Sequence, residues 1–430
     1  MAQTENKTAF GALALSKLFD NGNYTEIGAH VMRNGSSDER EALVCAYGPV
    51  GDRLVFAFAQ DMERMSGAFD AKAAKKIEKF YELALKSGAP VVGVFASSGS
   101  VVTEGSALLS GLSAMLTSVA MASDELPQIA LVGGVCTGCM ATAASMFDFT
   151  VTVKGAEFSA AAGTLTDGKG AQASIVAESE DAAFDAVRSL VAALPDNCDC
   201  GPAIADETDL NRVTGITEDE AKDKEKLIPA ISDDGSFIEL WKDDSEMTVG
   251  FAPVAGRYVG IVSVFGELTA KGANKAAGMT EFCSSFSIPV ITLINSNGIA
   301  MSADAESAGL AKACARLAKA YRASGSPRIS AGVGNACGAA LPLMGSKYGA
   351  SDVSFALKNS VIAPLDPARG VAFLMNSSVS ADTPREKLES DYADSARAEK
   401  AAFDGDIDFV VSIDELRARI CGALFMLDRE

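Results

Sequence analysis

Two glycine-rich turns are the segments of this sequence best suited to chemistry. Residues 133–141 read GGVCTGCMA and residues 332–340 read GVGNACGAA. In each, a strand-like segment leads into small residues that begin a predicted helix, so unpaired backbone N–H groups and the positive helix end point to one place. Such a turn can stabilise an oxyanion, although tight helix–strand packing is the alternative for either turn alone. The predicted catalytic donors are the backbone amides of Gly138, Cys139, Ala339 and Ala340.

The scarcity of histidine narrows the chemistry further. Ser–His and Cys–His nucleophilic sites need an imidazole beside the reacting atoms, and the single histidine, His30, lies before the first repeated segment. Cys136 and Cys139, or Cys198 and Cys200, could suggest zinc, but a structural zinc site needs two correctly spaced pairs. We therefore predict neither histidine catalysis nor a metal site.

The chain repeats itself after about 200 residues. Residues 90–99 (PVVGVFASSG) return 199 positions later as residues 289–298 (PVITLINSNG), and residues 127–139 have a looser counterpart 200 positions later, at 327–339. Solenoid repeats have periods of roughly 20–50 residues, whereas about 200 residues is the size of a whole folding unit. The sequence therefore predicts a duplicated domain.

Strand-like and helix-like segments alternate in the same order in both repeated units. The predicted strands are residues 54–59, 91–95 and 129–132 in the first unit and 259–264, 290–294 and 329–333 in the second. The predicted helices are residues 71–85 and 105–121 in the first unit and 271–286 and 303–321 in the second. This order predicts an α/β fold whose chemistry lies at the carboxyl ends of the strands.

Composition excludes several classes of protein. The 430 residues are 48% hydrophobic, enough for two cores, and no segment has the ~20 apolar residues that a membrane span needs. The net charge of −20 disfavours nucleic acid and anionic lipid as partners. Nine cysteines without a regular framework are typical of reduced thiols. We predict a soluble cytoplasmic protein.

Short motifs spread over nearly the whole chain resemble the carboxyltransferase (beta) subunit family of biotin-dependent acyl-CoA carboxylases and decarboxylases. They are residues 18–28, 58–61, 187–197, 233–240, 249–252, 256–257, 344–347 and 405–408. The resemblance implies two tandem crotonase-like (ClpP/crotonase) domains related by duplication. We place these α/β domains at residues 1–205 and 229–430, with an acidic linker at 206–228.

The resemblance implies transfer of a carboxyl group between carboxybiotin and the α-carbon of a small acyl-CoA. Family members use two oxyanion holes of backbone amides, and biotin takes the α-proton. The first hole corresponds to Gly138 and Cys139 and is assigned to acyl-CoA, and the second to Ala339 and Ala340. Further acyl-CoA-binding residues would be Ser97, Ser98, Gly99, Gly134 and Met140. Biotin-binding residues would be Gly298 and Gly338.

The chain departs from the family pattern at five places, two of which are a shorter segment around residues 164–170 and residues 365–370, which read LDPARG where the family has MGPEGA. Val101 stands at an arginine position near the expected CoA entrance, Met140 is bulky for an acyl pocket, and residues 295–298 lack the usual Asp and Pro. The resemblance also implies a separate biotin carboxyl carrier protein, other carboxylase or decarboxylase subunits, and a homo-oligomer, either a dimer or a trimer of dimers.

Two alternative functions stay open at this point. A hydratase or isomerase of the same superfamily would use a carboxylate as acid or base, and Glu104 is the best candidate, although a glutamate in a first helical turn also stabilises the helix dipole. The departures from the family pattern would also fit a non-catalytic scaffold subunit, because a fold does not by itself establish an activity.

Overall fold

The computed structural model describes residues 12–33, 35–161, 173–206, 208–243 and 246–428. The chain divides into two compact units, Met1–Cys200 and Gly201–Glu430, which are called the first and second unit below. Each unit contains a sheet in which seven strands pair side by side, with helices around it. The predicted α/β architecture is confirmed in both.

The first unit is built on one mixed sheet. Its strands are β1 (Thr25–Ile27), β2 (Leu43–Val50), β3 (Arg53–Gln60), β4 (Val91–Phe95), β5 (Gln128–Val132), β6 (Val135–Thr137), β7 (Phe149–Val153), β8 (Glu157–Ser159) and β9 (Ile175–Ala177). Its helices are α1 (Ala12–Leu18), α2 (Ala71–Ser87), α3 (Ser106–Ala122), α4 (Gly138–Ser145) and α5 (Glu180–Ala193). The sheet order is β1-β2-β3-β4-β5-β7-β9, antiparallel up to β3 and parallel beyond it, while β6 pairs with β8.

The second unit has a sheet of the same order and the same strand directions. Its strands are β10 (Ile238–Leu240), β11 (Met247–Val254), β12 (Arg257–Leu268), β13 (Val290–Ile299), β14 (Arg328–Cys337), β15 (Val353–Leu357), β16 (Val361–Ala363) and β17 (Phe409–Val411). Its helices are α6 (Lys224–Ile231), α7 (Ala270–Ser285), α8 (Ala303–Ser307), α9 (Leu310–Ala323), α10 (Ala340–Met344), α11 (Pro367–Gly370), α12 (Arg385–Ser395), α13 (Ala398–Phe403) and α14 (Ile413–Leu427). The order is β10-β11-β12-β13-β14-β15-β17, and β16 pairs with β14.

Local sequence explains where the central helices begin. The Asp70 side chain accepts hydrogen bonds from the first-turn amides of α2, and the Thr269 side chain, 199 residues later, does the same for α7. Each cap directly follows the segment that leaves the preceding strand, so both helices cross back over the sheet from the carboxyl ends of β3 and β12. The core strands β4 and β5 are buried at every residue, as expected for parallel strands covered on both faces.

The structure corrects two of the predicted boundaries. The acidic segment 206–228 is not a linker, because it belongs to the second unit and inserts Ala221, Leu227 and Ile228, each at most 2% exposed, into that unit's core. Its charged residues dominate the sequence, yet the apolar residues between them recur often enough to form a buried face. The predicted helix at 303–321 is two helices, because Gly309 adopts φ of +84° between α8 and α9.

No helix within the described parts of the chain is long and apolar enough to cross a membrane.

Candidate active site

The first turn, residues 133–141, runs from β5 through β6 into α4. Gly138 is the first residue of α4 and has φ of +63°, a conformation that favours glycine. Its N–H group donates to the carbonyl oxygen of Ala160 at 3.2 Å, so this amide is already used within the fold. The Gly138 amide therefore already has an acceptor within the fold, and its role as an oxyanion donor stays a prediction.

The amide that follows is better placed for a ligand. The Cys139 N–H group has no acceptor among the residues that the structure describes, and Cys139 is exposed. Thr137, which precedes α4, provides no side-chain cap. The positive end of this eight-residue helix therefore offers an unpaired donor at its surface.

The second turn, residues 332–340, repeats this arrangement between β14 and α10. Gly338 has φ of +59° and donates its N–H group to the carbonyl oxygen of Ala363 at 3.0 Å. In the described part of the chain, the amides of Ala339 and Ala340 have no acceptor. Both turns thus use the glycine amide internally and leave the next amide for a ligand.

A serine loop lies beside each turn, at residues 97–99 and 296–298. The Ser97 hydroxyl donates to the carbonyl oxygen of Gly99 at 2.8 Å and accepts from the Gly99 amide at 3.0 Å. Ser296 makes the same two bonds with Gly298, at 3.2 and 3.1 Å. Both serines are buried, so their hydroxyls shape the loops and are not aimed at a ligand.

Backbone contacts join the first loop to the first turn. The Ser97 amide donates to the carbonyl oxygen of Val135 on β6 at 2.7 Å. The position of a Cβ atom on Gly134 would lie 3.8 Å from Ala96, and the Ser98 amide donates to Ser66 at 2.9 Å. The structure therefore brings together Ser97, Ser98, Gly99 and Gly134, which were predicted to bind acyl-CoA, beside the strand that leads into Gly138.

The two turns differ in how much space surrounds them. Among the residues that the structure describes, none has an atom within 4 Å of the positions that Cβ atoms would take on Gly99 and Gly138. In the second unit, a Cβ atom on Gly338 would lie 3.0 Å from the Cα atom of Gly298. The first turn is open, whereas the second is closed by direct glycine–glycine contact.

The side chains of the first turn are divided between core and surface. Met140 is 2% exposed and belongs to the hydrophobic core of the first unit, so its side chain does not point to a ligand at the surface of that unit. Met140 turns inward because it follows the exposed Cys139 on the helix, and its contact with an acyl group stays a prediction.

The two buried thiols of the turns, Cys136 and Cys337, are not nucleophiles at neutral pH. Burial raises the pKa of Cys136 to about 12 and that of Cys337 to about 11, so both stay protonated. Within the described ranges, no group of three histidine, cysteine or acidic residues could hold a metal ion. The chemistry that both turns offer is hydrogen bonding from backbone amides.

Glu104 has a structural contact at the start of α2. Its Oε2 atom accepts a hydrogen bond from the Ala71 amide at 2.7 Å, next to the cap provided by Asp70. The carboxylate thereby stabilises the positive end of α2. This contact supports the structural interpretation of Glu104 over the acid–base interpretation.

Sequence reasoning missed a pair of buried lysines at equivalent positions. Lys76 on α2 donates to the carbonyl oxygen of Leu43 at 2.6 Å, and Lys275 on α7, 199 residues later, donates to that of Met247 at 2.7 Å. Leu43 and Met247 are the first residues of β2 and β11. The 199-residue offset was the signal that could have identified these lysines. The 199-residue offset does not identify Arg369, which donates to the Asn297 carbonyl oxygen in the second serine loop.

The carboxyl transferase domain family model matches residues 5–167 and 161–430. The chain therefore belongs to the carboxyl transferase domain family.

Individual relatives agree with this assignment over most of their length. The carboxyltransferase subunit of propionyl-CoA carboxylase from Haloferax mediterranei is 28% identical, over 90% of this chain and 83% of that protein. Methylmalonyl-CoA decarboxylase subunit alpha from Propionigenium modestum is 29% identical, over 96% of this chain and 89% of that protein. Among solved structures, hexameric transcarboxylase 12S with methylmalonyl-CoA and methylmalonic acid bound has a TM-score of 0.88 at 24% identity, covering 98% of this chain and 90% of that one, and so shares its fold.

Proposed function

We propose that this protein is an acyl-CoA carboxyltransferase, which moves a carboxyl group between biotin on a separate carrier protein and the α-carbon of a small acyl-CoA. The observation that carries this proposal is the pair of turns, one in each unit, whose amides after a positive-φ glycine have no acceptor in the described parts of the chain. Family membership supports it, and the names of the relatives point to propionyl-CoA and methylmalonyl-CoA as the acyl-CoA pair to test first.

The open first turn suits the acyl-CoA thioester. Removing a proton or a carboxyl group from the α-carbon leaves negative charge on the thioester oxygen, and the Cys139 amide is the donor placed to stabilise it. A ligand must approach these amides closely, and no described atom lies within 4 Å of the Cβ positions of Gly99 and Gly138. We therefore assign the thioester oxygen to Cys139 and its serine loop.

The closed second turn suits the compact ureido group of biotin. The amides of Ala339 and Ala340 lack acceptors within the described ranges, which fits a carbonyl oxygen of that group. Biotin, when bound, supplies the nitrogen that carries the carboxyl group and the base for the α-proton. Residues of this chain need only hold the two oxygens and orient the ligands, which agrees with a sequence that has one histidine.

We further propose that the two units are crotonase-like domains that arose by duplication. Besides the sheet order, the two units share an ion pair. Arg188 on α5 pairs with Asp20 in the first unit, and Arg417 on α14 pairs with Asp233 in the second. The Arg417–Asp233 pair is at most 1% exposed. In both units the arginine lies on the last helix and the aspartate lies in a D-x-G turn, so equivalent elements make equivalent contacts.

Partners and compartment follow from the same proposal. The enzyme would act with a biotin carboxyl carrier protein and further carboxylase or decarboxylase subunits, and would form a homo-oligomer, as the hexameric transcarboxylase 12S neighbour does. All nine cysteines are free thiols, which fits a reducing compartment such as the cytoplasm.

Calorimetry and turnover together test this function against its alternatives. The proposal expects binding of methylmalonyl-CoA and decarboxylation that depends on added biotin. Hydration of crotonyl-CoA without biotin would instead establish the hydratase alternative. Absence of any CoA-ester binding would contradict both the carboxyltransferase and the hydratase hypotheses and would favour the non-catalytic scaffold subunit.

A further inference from the structure

Arg369 on α11 joins three segments around the second serine loop. Its Nη1 atom donates to the backbone carbonyl oxygen of Asn297 at 3.0 Å. Its Nη2 atom pairs with the carboxylate of Glu267 on β12, and its Nε atom lies 3.4 Å from Oδ2 of Asp366. One guanidinium group therefore ties the loop to β12 and to α11.

The peptide that Arg369 holds is the one that supports the second turn. Measured from the position that a Cβ atom would take on Gly338, the Asn297 carbonyl oxygen lies at 3.6 Å and the Gly298 Cα atom at 3.0 Å. Ala339 follows Gly338 directly and presents the first unpaired amide. A shift of the 297–298 peptide would therefore displace the donors of the second turn, because the contact leaves no spare space.

Arg369 also offsets part of the negative charge of the carboxylates beside this turn. Glu267 is the register partner of Gly298 in the sheet, and Asp366 is 6% exposed with its Oδ2 atom lacking a hydrogen bond in the described structure. Without the guanidinium, two negative charges would lie near amides that must stabilise a negatively charged oxygen. Such charges oppose that stabilisation through space.

The first unit holds its loop in another way. There the Ser98 amide and hydroxyl donate to the backbone carbonyl oxygen of Ser66, at 2.9 and 3.2 Å, and no atom of the described residues lies within 4 Å of the Cβ position of Gly99. In the second unit it is instead the Arg369 side chain that holds the serine loop, through its hydrogen bond to the Asn297 carbonyl oxygen.

We propose that Arg369 is a positioning residue for the second turn, which fixes the 297–298 peptide against Gly338 and offsets part of the negative charge of Glu267 and Asp366, and so sets the affinity for biotin. The identity of biotin as the ligand rests on the proposed function.

Amide hydrogen exchange of the full chain tests the positioning role without any activity. Arg369→Leu should accelerate exchange in residues 295–300 and 335–341 about tenfold, with residues 133–141 unchanged. Arg385→Leu is the matched control, because Arg385 is an exposed arginine on α12 whose guanidinium donates to the Asn376 side chain at 2.8 Å and not to the second turn. Equal exchange in both variants, or equal acceleration at both turns, would overturn the proposal.

Steady-state decarboxylation of methylmalonyl-CoA with free biotin tests the consequence for the ligand. Arg369→Leu should raise KM for biotin about tenfold and leave KM for the CoA ester within about twofold. Arg369→Lys, or Glu267→Gln added to Arg369→Leu, should recover part of the loss, since each returns the summed charge at positions 267, 366 and 369 to that of the unmodified protein. An unchanged biotin KM, or equal rises in both constants, would contradict the inference. No turnover by the unmodified enzyme would overturn the proposed function and the biotin assignment, while the exchange result would still decide the positioning role.

Discussion

Gly298 and Gly338 lie back to back, with the Cα atom of Gly298 3.0 Å from the place that a Cβ atom would take on Gly338. The two residues come from β13 and from the end of β14, and both have positive φ, +111° and +59°. Their contact sets the position of the amides of Ala339 and Ala340. The corresponding glycines of the first unit, Gly99 and Gly138, have no described atom within 4 Å of their Cβ positions.

Alanine substitution should separate these two environments. Gly338→Ala and Gly138→Ala both force a left-handed alanine, which costs about 1–2 kcal/mol. Only Gly338→Ala also pushes a methyl group onto backbone atoms, so we expect it to lose about 1–3 kcal/mol more stability than Gly138→Ala. Urea unfolding of both variants measures the difference, and equal losses would show that the glycine contact is not tight.

Removing the buried lysine of the first unit should destabilise it strongly. Lys76 is 2.8 Å from Glu41, whose side chain is 1% exposed, and burial raises the pKa of Glu41 although Lys76 opposes the shift. Lys76→Met leaves that carboxylate unpaired, with an expected loss of about 3–5 kcal/mol. Adding Glu41→Gln should restore most of it in denaturant unfolding. A double variant no more stable than Lys76→Met would contradict the pairing.

The sequence was sufficient to predict those strands that occur in both repeated units. The matched segments 199 residues apart predicted the central strands, and they placed Ser97 and Ser296 at equivalent positions. The structure adds that both serines bond within their own loops.

Contacts between segments distant in sequence could not be predicted in the same way. The carbonyl oxygen of Ala160 accepts a hydrogen bond from the Gly138 amide because β6 pairs with β8. Arg369 donates to the carbonyl oxygen of Asn297, which lies 72 residues earlier in the sequence. Such contacts depend on the path of the folded chain and not on local spacing. The burial of Met140 and of the apolar residues in segment 206–228 was missed because the neighbouring exposed or charged residues dominate those segments.

Asp148 should make the stability of the first unit depend on pH. Burial raises its pKa from 3.8 to about 7, a shift that the hydrogen bond from the Gln128 amide opposes and the charge of Asp124 reinforces. A raised folded-state pKa means that the folded state binds the proton more tightly, so stability falls as pH rises from about 4 to about 7. Asp148→Asn should therefore gain on the order of 2 kcal/mol over the unmodified protein at pH 8 and less at pH 5.

Asp352 provides the control for that titration in the second unit. It accepts from the Arg328 amide at 2.8 Å, as Asp148 does from Gln128, but it also pairs with the Arg328 guanidinium at 2.9 Å. Asp352→Asn should lose stability at pH 8 in thermal unfolding. A destabilised Asp148→Asn variant at that pH would contradict the account.

Glu104→Gln separates the two roles considered for this residue. Glutamine retains an oxygen that can accept from the Ala71 amide, so the cap on α2 survives the change. We expect carboxyl transfer to fall by less than about threefold, whereas loss of a general acid or base would reduce kcat by about 100-fold or more. A loss of that larger size with unchanged circular dichroism would make Glu104 catalytic.

The most direct test of the proposed amide chemistry is methylmalonyl-CoA decarboxylation with free biotin by the unmodified protein, Cys139→Pro and Glu180→Pro. Cys139→Pro removes the unpaired amide of the first turn. Glu180→Pro removes a first-turn amide of α5, where Ser179 is already extended and tolerates a following proline. We predict biotin-dependent turnover that falls about 100-fold or more in Cys139→Pro and is retained in Glu180→Pro. Full activity of Cys139→Pro, or no turnover by the unmodified protein, would contradict this account.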